Sequence, residues 1–167
     1  MKQIAILLVG IVLIVSFTTE QDTIKIPEQS IRFRIIANSN SPEDQKNKML
    51  IAKELQDTLF PNIEKANSIE ESRKRIEENI PAMNAILTKY GQEYQIDFGN
   101  NYFPIKEYKG VIYDAGIYES LVISLGEAKG DNFWCVLFPP LCLLEAHDNN
   151  TEDVEYRSLV KDILNNM

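Results

Sequence analysis

Histidine is nearly absent from this 167-residue chain, which has one His, two Cys and one Trp. A protein metal centre normally draws three or four ligands at helical or loop spacings. The surroundings of His147, Glu145-Ala146-His147-Asp148, offer no such set, and His147 reads as an exposed loop residue. Nucleophile–base catalysis would have to rely on this one imidazole. No G-x-S-x-G, P-loop or G-x-G-x-x-G motif occurs, which removes the signals of serine hydrolases, phosphate cradles and dinucleotide cofactors. The expectation is no catalytic residue, no metal and no cofactor. Positive charge is also short, with 17 Lys and Arg against 25 Asp and Glu for a net charge of −8. Residues 130–167 carry two basic and seven acidic side chains of that total. An acidic surface repels phosphate backbones, so no nucleic-acid partner is expected. Seven Gly and seven Pro exclude collagen-like and low-complexity chains. The 44% hydrophobic and 25% charged content is that of an ordinary folded chain, and the length suits one domain.

A hydrophobic run long enough to cross a bilayer comfortably is missing too. Met1 and Lys2 precede Ile4–Val15, twelve residues without a polar side chain, followed by Ser16-Phe17-Thr18-Thr19 and the acidic Glu20 and Asp22. Spanning takes about 20 apolar residues. A short positive start, an apolar stretch of this length and a polar exit describe an export signal. A buried core helix is the alternative, but a helix apolar on every side has no solvent face. No Ala-x-Ala cleavage site is present, so residues 1–19 are an export signal or, if uncleaved, a membrane anchor through residues 4–17. With Lys2 inside, the rest of the chain is expected outside the membrane.

Residues 20–30 are polar, contain Pro27 and read as a linker. Ile31, Phe33 and Ile35 alternate with Arg32 and Arg34, which is strand patterning, closed by Asn38-Ser39-Asn40. Ser41-Pro42-Glu43-Asp44 opens a helix: Ser41 caps it, Pro42 suits its first turn, and the acids oppose the helix dipole. Met49, Ala52, Leu55 and Leu59 give its buried stripe. Ser68-Ile69-Glu70-Glu71 matches a capping box. Ile69, Ile76, Ile80, Met83, Leu87 and Tyr90 then form one stripe as far as Gly91, with a kink or break expected near Asn79-Ile80 because of Pro81. The charge run Glu70–Glu78 is a solvated face.

From Glu93 the pattern turns to β. Tyr94, Ile96 and Phe98 alternate up to Gly99-Asn100-Asn101, which closes that strand. Residues 102–110 are rich in aromatics, but Pro104 rules out a long central strand. Tyr118–Leu125 is a strong strand, Gly126–Asn132 a hairpin loop, and Phe133–Phe138 its partner strand, stopped by Pro139-Pro140. Thr151–Met167 resembles an amphipathic helix carrying Tyr156, Leu159, Val160, Ile163 and Met167. The order implies an α+β fold over residues 31–167, a largely antiparallel sheet with helices packed on one face.

Cys135 and Cys142 enclose a short apolar segment bent by two prolines. Outside the cytosol a disulfide between them can persist, and one is expected; the alternative is a pair of reduced core thiols. Glu107, Asp114, Glu119, Glu127 and Asp131 fall in the β half, where paired carboxylates would suit an exported cell-wall hydrolase. An extracytoplasmic ligand-binding module is the other alternative. Asn149-Asn150-Thr151 matches a glycosylation sequon.

Two stretches carry a family resemblance. One is Arg32-Phe33-Arg34-Ile35-Ile36-Ala37-Asn38-Ser39-Asn40-Ser41-Pro42-Glu43-Asp44-Gln45. The other runs from Phe103-Pro104 through Tyr108-Lys109-Gly110, Ala115-Gly116-Ile117-Tyr118 and Leu125-Gly126-Glu127 to Asn132-Phe133-Trp134-Cys135-Val136-Leu137-Phe138-Pro139-Pro140-Leu141-Cys142. Together they resemble stage II sporulation protein R of endospore-forming bacteria. Phe133 stands where that family has one of two paired tryptophans, and Asp114 where proline is common. The resemblance implies a signalling protein and not an enzyme. Such a protein is exported from the forespore into the intermembrane space, where it activates a membrane-bound aspartic protease of the stage II sporulation protein GA type. That protease processes the precursor of sigma factor E. The matched segments are also locally constrained, so Asn38, Asn40, Trp134, Phe138 and Leu141 are the expected receptor-contact residues.

Overall fold

The computed structural model describes residues 24–108, 111–142 and 153–166, without the side chains of 153–157. The expected export segment 1–19, His147 and the Asn149 sequon lie outside the described residues. Among the described residues, no helix is long and apolar enough to cross a membrane.

Among the described residues, seven strands and four helices follow one another as β1 (Ile24–Lys25), β2 (Ile31–Ile36), α1 (Pro42–Thr58), α2 (Phe60–Ile63), α3 (Ile69–Thr88), β3 (Tyr94–Phe103), β4 (Lys106–Tyr108), β5 (Val111–Tyr113), β6 (Gly116–Leu125), β7 (Asn132–Phe138) and α4 (Asp153–Asn165). The fold is α+β, as the residue pattern implies, but its sheets are mixed. A four-stranded sheet has the order β3-β6-β2-β7, and a three-stranded sheet the order β1-β5-β4. β2 runs parallel to β6 and antiparallel to β7, and β1 runs parallel to β5. The largely antiparallel sheet and the β6–β7 hairpin are therefore both corrected. β2 lies between β6 and β7, with Arg34 opposite Val122 on one side and Trp134 on the other.

Alternation along β2 separates two cores. Ile31, Phe33 and Ile35, with Leu121, Ile123, Leu125, Cys135 and Leu137, face α1, α2 and α3. On the other face lie Trp134 and Val136, packed with Ile24, Val111 and Tyr113 of the small sheet, Ile26 just after β1, and Val160 of α4. Helices on a single face is thus also corrected, because α4 contributes to the second core. Ile24 and Ile26 are buried there, so this part of the expected 20–30 linker is built into the domain.

Local signals hold at both long helices. Ser41 accepts from the Asp44 N–H at 3.1 Å, and Ser68 from the Glu71 N–H at 3.2 Å. α3 continues through Pro81 without a break. The missing Pro81 donor leaves one turn unbridged, while the buried side chains Ile76, Met83, Ile86 and Leu87 on either side hold the helix to the sheet. β3 runs on through Gly99-Asn100-Asn101 to Phe103, because the ten-residue β6 supplies a partner at every position. The α1 stripe is Lys48, Ile51, Ala52, Leu55 and Gln56, and Met49 is left half exposed at 50%.

Candidate recognition groove

β6 reaches β7 by crossing the end of β2, and this crossing fixes Asn38 and Asn40. Lys129 N–H donates to Asn38 O at 3.1 Å and Gly130 N–H to Ala37 O at 2.9 Å. The Asn38 side-chain oxygen accepts from Glu127 N–H at 2.9 Å, and its amide donates to Asp44 at 3.0 Å. Asn40 Oδ1 accepts from Asp131 N–H at 2.6 Å and from Gln45 Nε2 at 3.2 Å. Lys48, buried beneath, donates to Asp131 O at 3.0 Å, and its burial lowers its pKa while Asp131 pulls the other way. Two glycines permit this closeness: a Cβ on Gly126, whose φ is +54°, would meet Asn38 Oδ1, and one on Gly130 would meet Ser39 O. Both asparagines thus bind their own chain, Asn38 half-buried and Asn40 exposed.

Trp134 is only partly buried and has a different setting. Its ring stands edge-on to Tyr113 at 4.7 Å between centroids and tilted to Phe103 at 6.0 Å. Lys106 Nζ sits 4.7 Å from the Trp134 ring centroid. Around it lies a hollow of about 270 Å³ lined by Met49, Lys106, Tyr108, Tyr113, Asn132, Phe133 and Trp134. A second hollow of about 160 Å³ shares Lys106, Asn132 and Trp134 and extends to Arg34, Phe103 and Ile105. Together they form one groove whose ends carry the exposed apolar Met49 (50%) and Ile105 (67%).

Cations lie under this aromatic surface. Arg34 Cζ is 4.6 Å from the Phe103 ring, and its Nη1 donates to Tyr102 O at 3.4 Å. Arg32 is fully buried, with Cζ 3.4 Å from the Tyr118 ring centroid and Nη2 donating to Asp114 O at 3.2 Å. Burial lowers the pKa of both arginines, offset for Arg32 by Tyr118, Tyr113 and Asp114. Guanidiniums stay protonated in proteins, and the aromatic rings beside Arg32 and Arg34 stabilise their charge.

The other expected contact residues lie inside. Leu141 is fully buried and Phe138 nearly so, both within the loop closed by a disulfide between Cys135 and Cys142. Of the five expected contacts, the groove contains Trp134 alone. Met49 and Lys106 escape the sequence reading as site residues, whereas Tyr108 and Asn132 fall within its family-matched segments. The signal for Lys106 and Tyr108 is their i, i+2 spacing directly after Pro104. Three of the candidate carboxylates are engaged in ion pairs: Glu119 with Arg73 at 2.7 Å, Asp114 with Lys25 at 3.6 Å and Glu127 with Lys129 at 2.7 Å. Among the described residues, no group of three or more His, Cys, Asp or Glu is placed to hold a metal ion.

Fold and site together define a two-sheet α+β domain with an aromatic, cation-bearing groove at a sheet edge. The family model for Stage II sporulation protein R matches residues 27–148, and the chain belongs to that family, whose role is in sporulation. Stage II sporulation protein R of Bacillus subtilis (strain 168) is 41% identical over 133 residues, covering 76% of this chain and 59% of that protein. The chain thus spans less than two thirds of the length of that relative. No solved structure matches.

Proposed function

We propose that this chain is an exported signal of endospore formation, made in the forespore and acting in the intermembrane space. It activates a membrane-bound aspartic protease of the stage II sporulation protein GA type, which then processes the precursor of sigma factor E. Family membership supports the sporulation role. The observation that carries the receptor contact is the groove around Trp134, inside the family-matched stretch and rimmed by exposed Met49 and Ile105. An aromatic anchor in a pocket with a polar surround is the arrangement that concentrates binding energy at protein contacts. The Asn38–Asp44 turn instead holds the domain together and presents the groove.

The test is co-expression of the full chain, the receptor protease and the precursor in a bacterium that does not sporulate. Cleavage is expected only when all three are present, and it is lost when residues 4–15 are deleted. Intact precursor, with all three proteins accumulated and the chain outside the cytosol, contradicts the reading.

A further inference from the structure

The outer strands of the two sheets are unequally protected against pairing. β1 has two residues; β4 has three, including Lys106, and follows Pro104. β7 has a register shift in its ladder with β2 and runs into Pro139-Pro140. Shortness, lysine, proline and bulges are devices that stop an edge from recruiting another strand. β3 has none of them. It is ten residues long, pairs with β6 at every position without a shift, and carries a single charge, Asp97. Among the described residues, its outer edge has no strand partner.

The ladder fixes which groups face outward. Gly126 N–H donates to Glu93 O at 2.7 Å on the β6 side, and Ser120 Oγ donates to Gly99 O at 3.4 Å. Odd-numbered residues therefore bond to β6, and Tyr94, Ile96 and Phe98 turn their N–H and C=O outward. Among the described residues, nothing bonds to those groups. Arg34 donates to Tyr102 O at 3.4 Å, which closes the far end of the edge. The side chains of Tyr94, Ile96 and Phe98 lie half-buried at the margin of the helix-side core. Gln95 and Asp97 are exposed on the opposite face.

The segment Tyr94-Gln95-Ile96-Asp97-Phe98 has the same character read in either direction: aromatic, polar, Ile, polar, aromatic. An antiparallel partner is met in reverse order, so this strand complements itself. With Ile96 on a two-fold axis, Tyr94 faces Phe98 of the second copy and Ile96 faces Ile96. The Gln95 amide then faces the Asp97 carboxylate, so the one charge of the strand meets a donor and not its own like. The three outward residues of each copy make about six backbone hydrogen bonds, within the range of about 5–15 that a stable interface carries.

We propose that the chain pairs with a second copy of itself along β3, joining the two four-stranded sheets into one. This goes beyond the receptor reading and stands apart from it: a chain that signals as a monomer leaves that reading intact.

Sedimentation of the full chain in mild detergent across a dilution series tests the pairing, and twice the chain mass is expected. Gln95→Glu sets two pairs of like charges face to face and should weaken the dimer about fivefold or more. Gln95→Lys should tighten it, and Gln95→Glu combined with Asp97→Lys should restore it, which also shows that the charge variants fold. The register is read by disulfide trapping: chains with Gln95→Cys and chains with Asp97→Cys, differently tagged, should bond to each other when mixed. Lys74→Cys, on the exposed face of α3, is the control and should not bond. A monomer at every dilution, a dimer indifferent to all three charge variants, or trapping at Lys74→Cys equal to that of the mixed pair overturns the proposal. So does a dimer lost on deleting residues 4–15 while the charge variants have no effect, since the apolar run would then hold the copies together.

Discussion

Asn38 commits both ends of its carboxamide to its own chain, to Glu127 N–H and to Asp44. Asn38→Ala removes the acceptor of a solvent-reachable backbone donor at the crossing, for which a loss of about 0.5–1.5 kcal/mol is expected from the urea midpoint. Gly130→Ala tests the same contact from the other side, because a Cβ there meets the Ser39 carbonyl. It should cost more than about 1 kcal/mol, since a backbone-tight site gains nothing from the stiffer residue. Wild-type stability in both variants would show that the crossing is loose. Neither effect was legible in the sequence, where Asn38-Ser39-Asn40 shows only turn formers. Their partners across the crossing come from 89 positions and more further along the chain, at Glu127–Asp131.

Elements fared better where the signal was local. The β2 alternation, the Ser41 and Ser68 caps and the Cys135–Cys142 pair were all readable, because each depends on residues within a few positions. Alternation assigns a residue to one of two faces but does not say which strand lies alongside or whether a second sheet covers the polar face. Hence the insertion of β2 between β6 and β7 was missed, as was the burial of Arg32. The disulfide closes a short loop, and the chain-entropy estimate for changing either Cys to Ser is about 2.5 kcal/mol. Thiol labelling of the unfolded, unreduced protein should find no free thiol at either position; two labels per chain would contradict the bond.

Between elements, three carboxylates have their pKa held below the ordinary range. Ser39 and Asn38 lower that of Asp44; Lys89 and Tyr90 lower that of Glu54; Asn67 N–H and Arg75 lower that of Glu71. Because the folded values are depressed, the unfolded chain binds more protons near its own carboxylate pKa of about 4. The stability they contribute is complete above that pH and is lost as pH falls through the folded values. Denaturant midpoints should therefore hold from neutrality down to about pH 5 and then decline. Asp44→Asn, Glu54→Gln and Glu71→Gln combined should flatten that decline; an equal decline in the triple variant would assign it to other groups.

At the scale of the whole molecule, one crossing and one groove divide the labour. The crossing of β6 to β7 over β2 fixes the frame, and the groove around Trp134 is the proposed recognition surface. The proposed division separates two sets of residues that the sequence presents together as a single matched pattern. Met49→Asp and Lys106→Glu alter exposed groove residues, whereas Asn38→Ala alters the frame. The most direct measurement is precursor cleavage per folded chain in the co-expression system, with thermal melting of each variant recorded in parallel. The account predicts that Met49→Asp and Lys106→Glu melt within a few degrees of the parent yet fail to support cleavage, while Asn38→Ala melts early but activates in proportion to the chain still folded. Full cleavage by both groove variants, or a loss in Asn38→Ala beyond its loss of folded chain, would contradict it.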